Sequence, residues 1–249
     1  MNDQFNPGEF SAYGSPFTTA GKYTVKERHD LFGLIPNGFA ARSVLEVGCA
    51  NGHNLRFFAS ALNISPEHSV GVDLCKSTAN DYSGMVFHHS SAEDFFAACP
   101  DSYDLIVLSD VLEHIYNPWS LLRAARKNLS PTGVMLISVP NLQNLNYIGS
   151  VASGNFVYQP TGLFDETHIR FFTRASLDQY LRQCGYQPFQ FGWRPDLSLG
   201  GLREQVERRL ATSSHCPVEL SHVTISVTRE NLDQFFGQQV LVAVTHGKQ

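Results

Sequence analysis

From Arg42 onward, short apolar runs alternate with longer stretches of helical spacing. RSVLEVG (42–48), SVGVD (69–73), GMVFHH (84–89), YDLIVLS (103–109) and TGVMLISV (132–139) each have the length and composition of a buried strand. GHNLRFFASAL (52–62) and the stretch 120–129 instead space apolar residues three and four apart, the period of an amphipathic helix. Strands this apolar, alternating with helices, predict a parallel sheet covered on both faces. TVKERHDLFGLI, from Thr24, predicts an opening helix with Val25, Leu31, Leu34 and Ile35 apolar. Thr173 is placed to cap a helix over RASLDQYLRQC, with Gly185 just past its end. YQPFQFGW and QQVLVAVTH (238–246) are two further strands. Between them, 194–236 is less regular, with a charged helix REQVERRL (203–210) and an alternating HVTISVT. The organisation expected is therefore an arm over 1–23, a core over 24–193, an insertion over 194–236 and a last core strand over 237–249.

Composition narrows the function classes. The 249 residues are 43% hydrophobic and 16% charged, with a net charge of -5. An acidic chain of this kind argues against a broad surface for nucleic-acid phosphates. Five cysteines, at 49, 75, 99, 184 and 216, form no Cys-x-x-Cys pair and suggest neither a disulfide framework nor a zinc knuckle. The polar start MNDQFNPGEFSAYGS lacks the pattern of a signal peptide, and no apolar run approaches the roughly 18 residues that cross a bilayer. A cytoplasmic protein without membrane contact is expected. Nothing in the chain points to an oligomeric state.

Chemistry enters where the first strand ends. VLEVGCANGHNL carries Glu46, Gly48, Cys49, Ala50 and Gly52, and the small residues at 48, 50 and 52 let backbone approach a ligand closely. The helix that follows offers unpaired N–H groups and a partial positive charge. Asp73 ends the second strand, where a carboxylate can accept from both hydroxyls of a ribose. A dinucleotide fingerprint would need glycine at 53, which is His, and a Tyr-x-x-x-Lys pair would be expected of an NAD(P)-dependent oxidoreductase or epimerase. Neither is present.

The Gly-x-Gly-x-Gly-like spacing, with Ala50 in place of the usual middle glycine, is similar to the loop of class I S-adenosylmethionine (SAM) methyltransferases. YDLIVLSDVLEHIYNP (103–118), KNLSPTGVMLISVPN (127–141) and GLFDETHIRFFTRASLDQYLRQCGY extend the likeness, which covers about 24–190. Together they resemble the subgroup around ubiquinone-biosynthesis O-methyltransferases. The resemblance implies a Rossmann-like α/β fold, with seven mostly parallel strands, helices on both faces and the last strand antiparallel. It implies that SAM is the cofactor, its methionine part held by the loop 46–52 and its ribose by Asp73. Leu74 would pack on the adenine, Ala92 and Glu93 would reach the adenine edge, and Ser109 and Asp110 would lie under the sulfonium. Arg28 is either a partner for the SAM carboxylate or one more cation on a solvated helix face. The implied reaction is methyl transfer to a small molecule or sugar, at oxygen. A non-catalytic SAM-binding partner subunit stays open as an alternative.

A hydroxyl acceptor gains from a base, and histidine has a suitable pKa. His168 is the first candidate and His114 the second, with no metal assigned. Spacing offers another role: if 110–116 is helical, Asp110, Glu113 and His114 share one face and, with His168, could surround a divalent cation. Asp165 and Arg170 are expected to pair locally and hold their loop, and Phe171 and Phe172 to anchor it in the core.

Overall fold

The computed structural model describes residues 27–75 and 84–247. The expected arm and the start of the opening helix lie outside them. What remains of that helix, α1 (His29–Phe32), is a single turn. A seven-stranded sheet in the order β3-β2-β1-β4-β5-β9-β6 organises the chain. Its strands are β1 (Val44–Val47), β2 (Ser69–Asp73), β3 (Val86–His89), β4 (Tyr103–Ser109), β5 (Leu129–Pro140), β6 (Tyr186–Pro195) and β9 (Gly237–His246). The first five pair in parallel, and β9 runs antiparallel to both β5 and β6.

Alternation within each strand builds two cores. Leu45, Ile106, Leu108 and Ile137 face α3 (Ala92–Ala98), α4 (Pro118–Lys127) and α6 (Arg174–Gln183). Val44, Leu105, Val107 and Leu136 face α1 and α2 (His53–Ala61) on the other side. With both faces covered, the central strands have no solvated side, which explains their near-continuous apolar runs. α6 carries the expected Thr173 cap as a capping box with Ser176. Among the described residues no helix is long and apolar enough to cross a membrane.

Strand order reverses between β1, which continues outward to β2, and its other neighbour β4. A crevice at the carboxyl ends of strands follows from such a reversal. The segment between β6 and β9 stands at that same end, because β9 begins beside Pro140 at the close of β5. It holds α7 (Gly200–Leu210), the hairpin β7 (Cys216–Leu220) and β8 (Val223–Val227), and α8 (Leu232–Phe236). Together with α5 (Leu145–Ala152) they bury a third core, including Leu145, Val206, Leu210, Val218, Val227 and Phe236. Asn144 roots both ends of this unit: its Nδ2 donates to Asp196 Oδ2 at 3.1 Å and to the Gly237 carbonyl at 3.1 Å. The expected charged helix is present as part of α7, and a hairpin forms beside it because HVTISVT finds its partner in CPVEL.

Candidate functional site

The β1 loop is built by backbone geometry. Gly48, Ala50 and Gly52 all take positive φ, at 72°, 45° and 78°. At Gly48 no side chain fits, since a Cβ would sit 2.9 Å from Val111 Cγ2. Ala50 occupies the left-handed region despite its Cβ, and its N–H is held by Asp73 Oδ2 at 2.7 Å. Asp73 Oδ1 accepts from the Cys75 N–H at 2.7 Å. Each oxygen of Asp73 therefore accepts one backbone N–H, and a carboxylate oxygen can accept from more than one donor. Cys49 is buried, its Sγ lodged against Gly71 where a Cβ would come within 2.7 Å.

Beyond Asp73, Leu74 is 53% exposed. Its carbonyl lies 2.6 Å from His89 Nε2 and accepts a hydrogen bond from it. His89 was not singled out in the sequence. Only its register opposite Asp73, known once the sheet is known, brings it to this corner. Ser91 caps α3, accepting from the Asp94 N–H at 3.0 Å, which leaves Ala92 buried and Glu93 exposed at the helix start.

Under the loop, Glu46 is buried, and burial raises its pKa to about 7 despite a 2.6 Å hydrogen bond from Asn54 Nδ2 to Oε1. Its Oε2 has no hydrogen-bond partner among the described residues. Asn54 Oδ1 in turn accepts from the backbone N–H of Arg28 at 3.0 Å.

Arg28 is not on a solvated face. It is 4% exposed, and all three guanidinium nitrogens donate within the protein. Nε and Nη2 bind the two Asp30 oxygens at 2.8 and 3.0 Å. Nη1 reaches Ser109 Oγ, Ser138 Oγ at 3.0 Å and Asp110 Oδ2 at 3.2 Å, and Nη2 also reaches Gln239 Oε1 at 3.0 Å. The reason is the placement of α1: this single turn packs on β5, β6 and β9, so its N-cap residue, Arg28, reaches the carboxyl ends of β4 and β5 and the amino end of β9. Burial alone would lower the arginine pKa, and the charges of Asp110 and Asp30 more than offset that.

Asp110 departs from the helical expectation. Its φ is +55°, and its Oδ1 accepts from Ser138 Oγ and Gln239 Nε2, both at 2.8 Å. The short 3₁₀ turn after it spans Leu112–His114 only. Glu113, His114 and His168 do converge: one ligand-type atom of each lies within 4.8 Å of the others, and Asp110 is not among them. The two imidazole centroids are 4.8 Å apart. Both oxygens of Glu113 are buried without a hydrogen-bond partner among the described residues. Burial, then the charge of Asp110, raises the Glu113 pKa. Burial lowers that of His114, with His168 adding to it, and burial lowers that of His168 against the opposing charge of Asp165.

The 165–172 segment is held on this turn by its own polar groups. Ile169 and Arg170 N–H groups donate to the Glu113 carbonyl at 2.9 and 3.0 Å. Arg170 donates to the Tyr116 carbonyl and lies over the Tyr116 ring. Asp165, 1% exposed, accepts from Thr167, as the local pairing expected of it requires. Phe172 is a core anchor, but Phe171 is 41% exposed and faces Tyr147. Tyr147 stacks on Phe164 with centroids 4.9 Å apart, and Phe156 meets both edge-on. These rings form an aromatic wall, and its Phe164 follows Leu163, whose carbonyl oxygen lies 3.4 Å from His168 Nδ1.

In sequence and in fold the chain is similar to known methyltransferases. The profile of a methyltransferase domain matches residues 20–190. A ubiquinone biosynthesis O-methyltransferase from Aromatoleum aromaticum is 25% identical over 160 residues, 60% of this chain and 66% of that protein. The chain thus spans just under two thirds of the length of that curated relative. A SAM-dependent methyltransferase from Archaeoglobus fulgidus superposes with a TM-score of 0.57 at 18% identity, covering 87% of this chain and 91% of that one. The plantazolicin methyltransferase BamL, solved with a desmethyl analogue and SAH, superposes with a TM-score of 0.51 at 14% identity, covering 84% and 78%. The fold is the Rossmann-like one that these structures share.

Proposed function

Because the chain belongs to the methyltransferase domain family, we propose that it binds SAM at the β1–β4 crevice and transfers a methyl group to a hydroxyl oxygen of a small molecule or sugar. The observation that carries this reading is the buried Oε2 of Glu46, without a hydrogen-bond partner among the described residues, beneath a loop where a Cβ at Gly48 would crowd Val111. An orphan carboxylate oxygen there fits the ammonium of an amino acid tail. The loop residues Gly48, Cys49, Ala50 and Gly52 would lie along that tail. Asp73 would accept from the ribose hydroxyls with its remaining lone pairs, Leu74 would pack on the base, and Ala92 and Glu93 would border the base edge. Ser109 and Asp110 would form the floor, braced from below by Arg28.

SAM, when bound, supplies an electrophilic methyl on a sulfonium with its own driving force. The protein's task is then alignment, exclusion of water and removal of one proton. We assign the proton to His168, whose lowered pKa keeps the imidazole neutral at pH 7 and able to accept it. His114, beside it, is the second base. The aromatic wall of Tyr147, Phe156 and Phe164 would seat the apolar part of the acceptor.

A second reading is favoured by the unpartnered oxygens of Glu113. With His114 and His168 they offer one carboxylate and two imidazoles, a donor set that fits a divalent cation. Such an ion would polarise the accepting hydroxyl.

Transfer of label from [methyl-¹⁴C]SAM to a panel of hydroxylated aromatics and sugars tests the proposal. His168→Ala is expected to reduce transfer by about 10²-fold or more, while leaving SAM affinity within about twofold. Exhaustive chelation separates the two readings, since only the cation-dependent one loses activity to it. SAM binding without label reaching any acceptor would favour a non-catalytic SAM-binding subunit.

A further inference from the structure

We infer that Thr167 and Asp165 are positioning residues that fix the proton of His114 on Nδ1 and so turn its lone pair, on Nε2, into the site. The direction of each hydrogen bond is set by the atoms that can only accept. His114 Nδ1 lies 3.2 Å from the carbonyl oxygen of Thr167 and 3.0 Å from its Oγ. A carbonyl oxygen has no proton to give, so Nδ1 must be the donor to it. The Thr167 hydroxyl has its own proton committed elsewhere: Oγ lies 2.7 Å from Asp165 Oδ1. That carboxylate oxygen also accepts the Thr167 N–H at 2.9 Å. As an ionised carboxylate only accepts, the hydroxyl donates to Asp165 and presents its lone pairs to Nδ1. The chain therefore runs in one direction, from His114 Nδ1–H to Thr167 Oγ and from Thr167 O–H to Asp165.

Two features make this more than a loop staple. Asp165 and Thr167 are both buried, so the direction of the chain is not scrambled by water. His114 belongs to the turn after β4, whereas Thr167 belongs to a segment more than fifty residues later, so the bond joins two elements across the site. A neutral imidazole protonated on Nδ1 holds its lone pair on Nε2. In that tautomer His114 can take a proton or bind a cation from Nε2. An orienting partner on the opposite nitrogen is what either role requires. The chemical use of that lone pair rests on the function proposed above, but the tautomer itself does not.

The test is ¹⁵N NMR of the full chain labelled at histidine, with His114 assigned by its disappearance in His114→Gln. The wild-type and Thr167→Ser proteins should both show a protonated Nδ1 and an unprotonated Nε2. Thr167→Val keeps the side chain's shape and the backbone carbonyl but removes the hydroxyl. Loss of one hydrogen bond, about 1 kcal/mol, should raise the ratio of Nε2–H to Nδ1–H tautomer about fivefold. A wild-type proton on Nε2 overturns the inference, even if Thr167→Val fails to fold. So does a Thr167→Val spectrum identical to wild type, because a purely structural threonine would alter stability alone. SAM titrated into the same wild-type sample separates the two claims. Absent binding would count against the proposed function, and the wrong tautomer against this inference.

Discussion

Replacing Arg28 with methionine is expected to destabilise the folded protein by about 3 kcal/mol at pH 7, the lower end of the range for removing one member of a buried ion pair. The lower end applies because Asp30 and Asp110 keep 26% and 35% of their side-chain surface exposed, so water takes up part of the loss. Methionine preserves much of the buried stem and removes the charge. What remains is two carboxylates facing Ser109, Ser138 and Gln239 with no cation among the groups that Arg28 now joins. Asp110 also holds a left-handed backbone conformation, and its brace on one side would be lost. The effect has a pH signature. Burial on its own would raise the Asp30 pKa, but the bonds from Arg28 bring it below its ordinary value of 3.8. Asp30 therefore contributes stability that is present above pH 3.8 and is lost as pH falls through the lowered folded value. Urea unfolding of wild type and Arg28→Met should show a gap that is wide at pH 7 and narrows toward pH 3. Equal midpoints at pH 7 would contradict the bracing role.

Glu46→Gln should produce a larger change in pH dependence than in fold. Burial lifts the Glu46 pKa from 4.5 to about 7. Since the folded value is the higher one, its contribution to stability is fully present below pH 4.5 and is lost as pH rises through 7. The loss is on the order of 3 kcal/mol across that window. Glutamine cannot ionise, so Glu46→Gln should overtake the wild type in unfolding midpoint above pH 7. Ligand binding should show the converse. An ammonium beside Oε2 favours the ionised carboxylate, so SAM binding should release a proton below pH 7, and affinity should rise with pH toward that value. In Glu46→Gln the rise should vanish. Calorimetry in two buffers of different ionisation enthalpy measures the proton count, and a count of zero in the wild type near pH 6 would contradict the pairing.

Much of this was legible in the chain because its strongest signals are local. Four of the parallel strands, β1, β2, β4 and β5, are mostly buried and read as apolar runs, whereas β3 at the sheet edge is largely exposed despite the buried strand expected over 84–89, and Thr173 and Gly185 mark α6 as cap and terminator. Less was legible where local pattern and tertiary packing disagree. LNYIGSVA carries Asn, Gly and Ser, so α5 was hidden until Leu145 met the third core. CPVEL opens on Cys-Pro and was not read as a strand, yet it is a half-buried strand with one partner, where proline is tolerated. The solvated-face alternative for Arg28 and the helical cluster that included Asp110 failed for the same reason. Helical spacing was extended across residues whose backbone is a short turn or a left-handed bend, and the side chains went elsewhere. Glu113, His114 and His168 came together as the spacing and the resemblance suggested, without Asp110. The role of Thr167 had one faint signal, an acid two residues before it, which is common in ordinary turns.

Isothermal calorimetry with SAM and its demethylated product at pH 7.5 bears most directly on the whole account. Saturable one-to-one binding of both is predicted, weakened at least about tenfold in Asp73→Ala, where two hydroxyls lose a charged acceptor. No heat with either compound, together with a binding signal from NADH or NADPH, would contradict it.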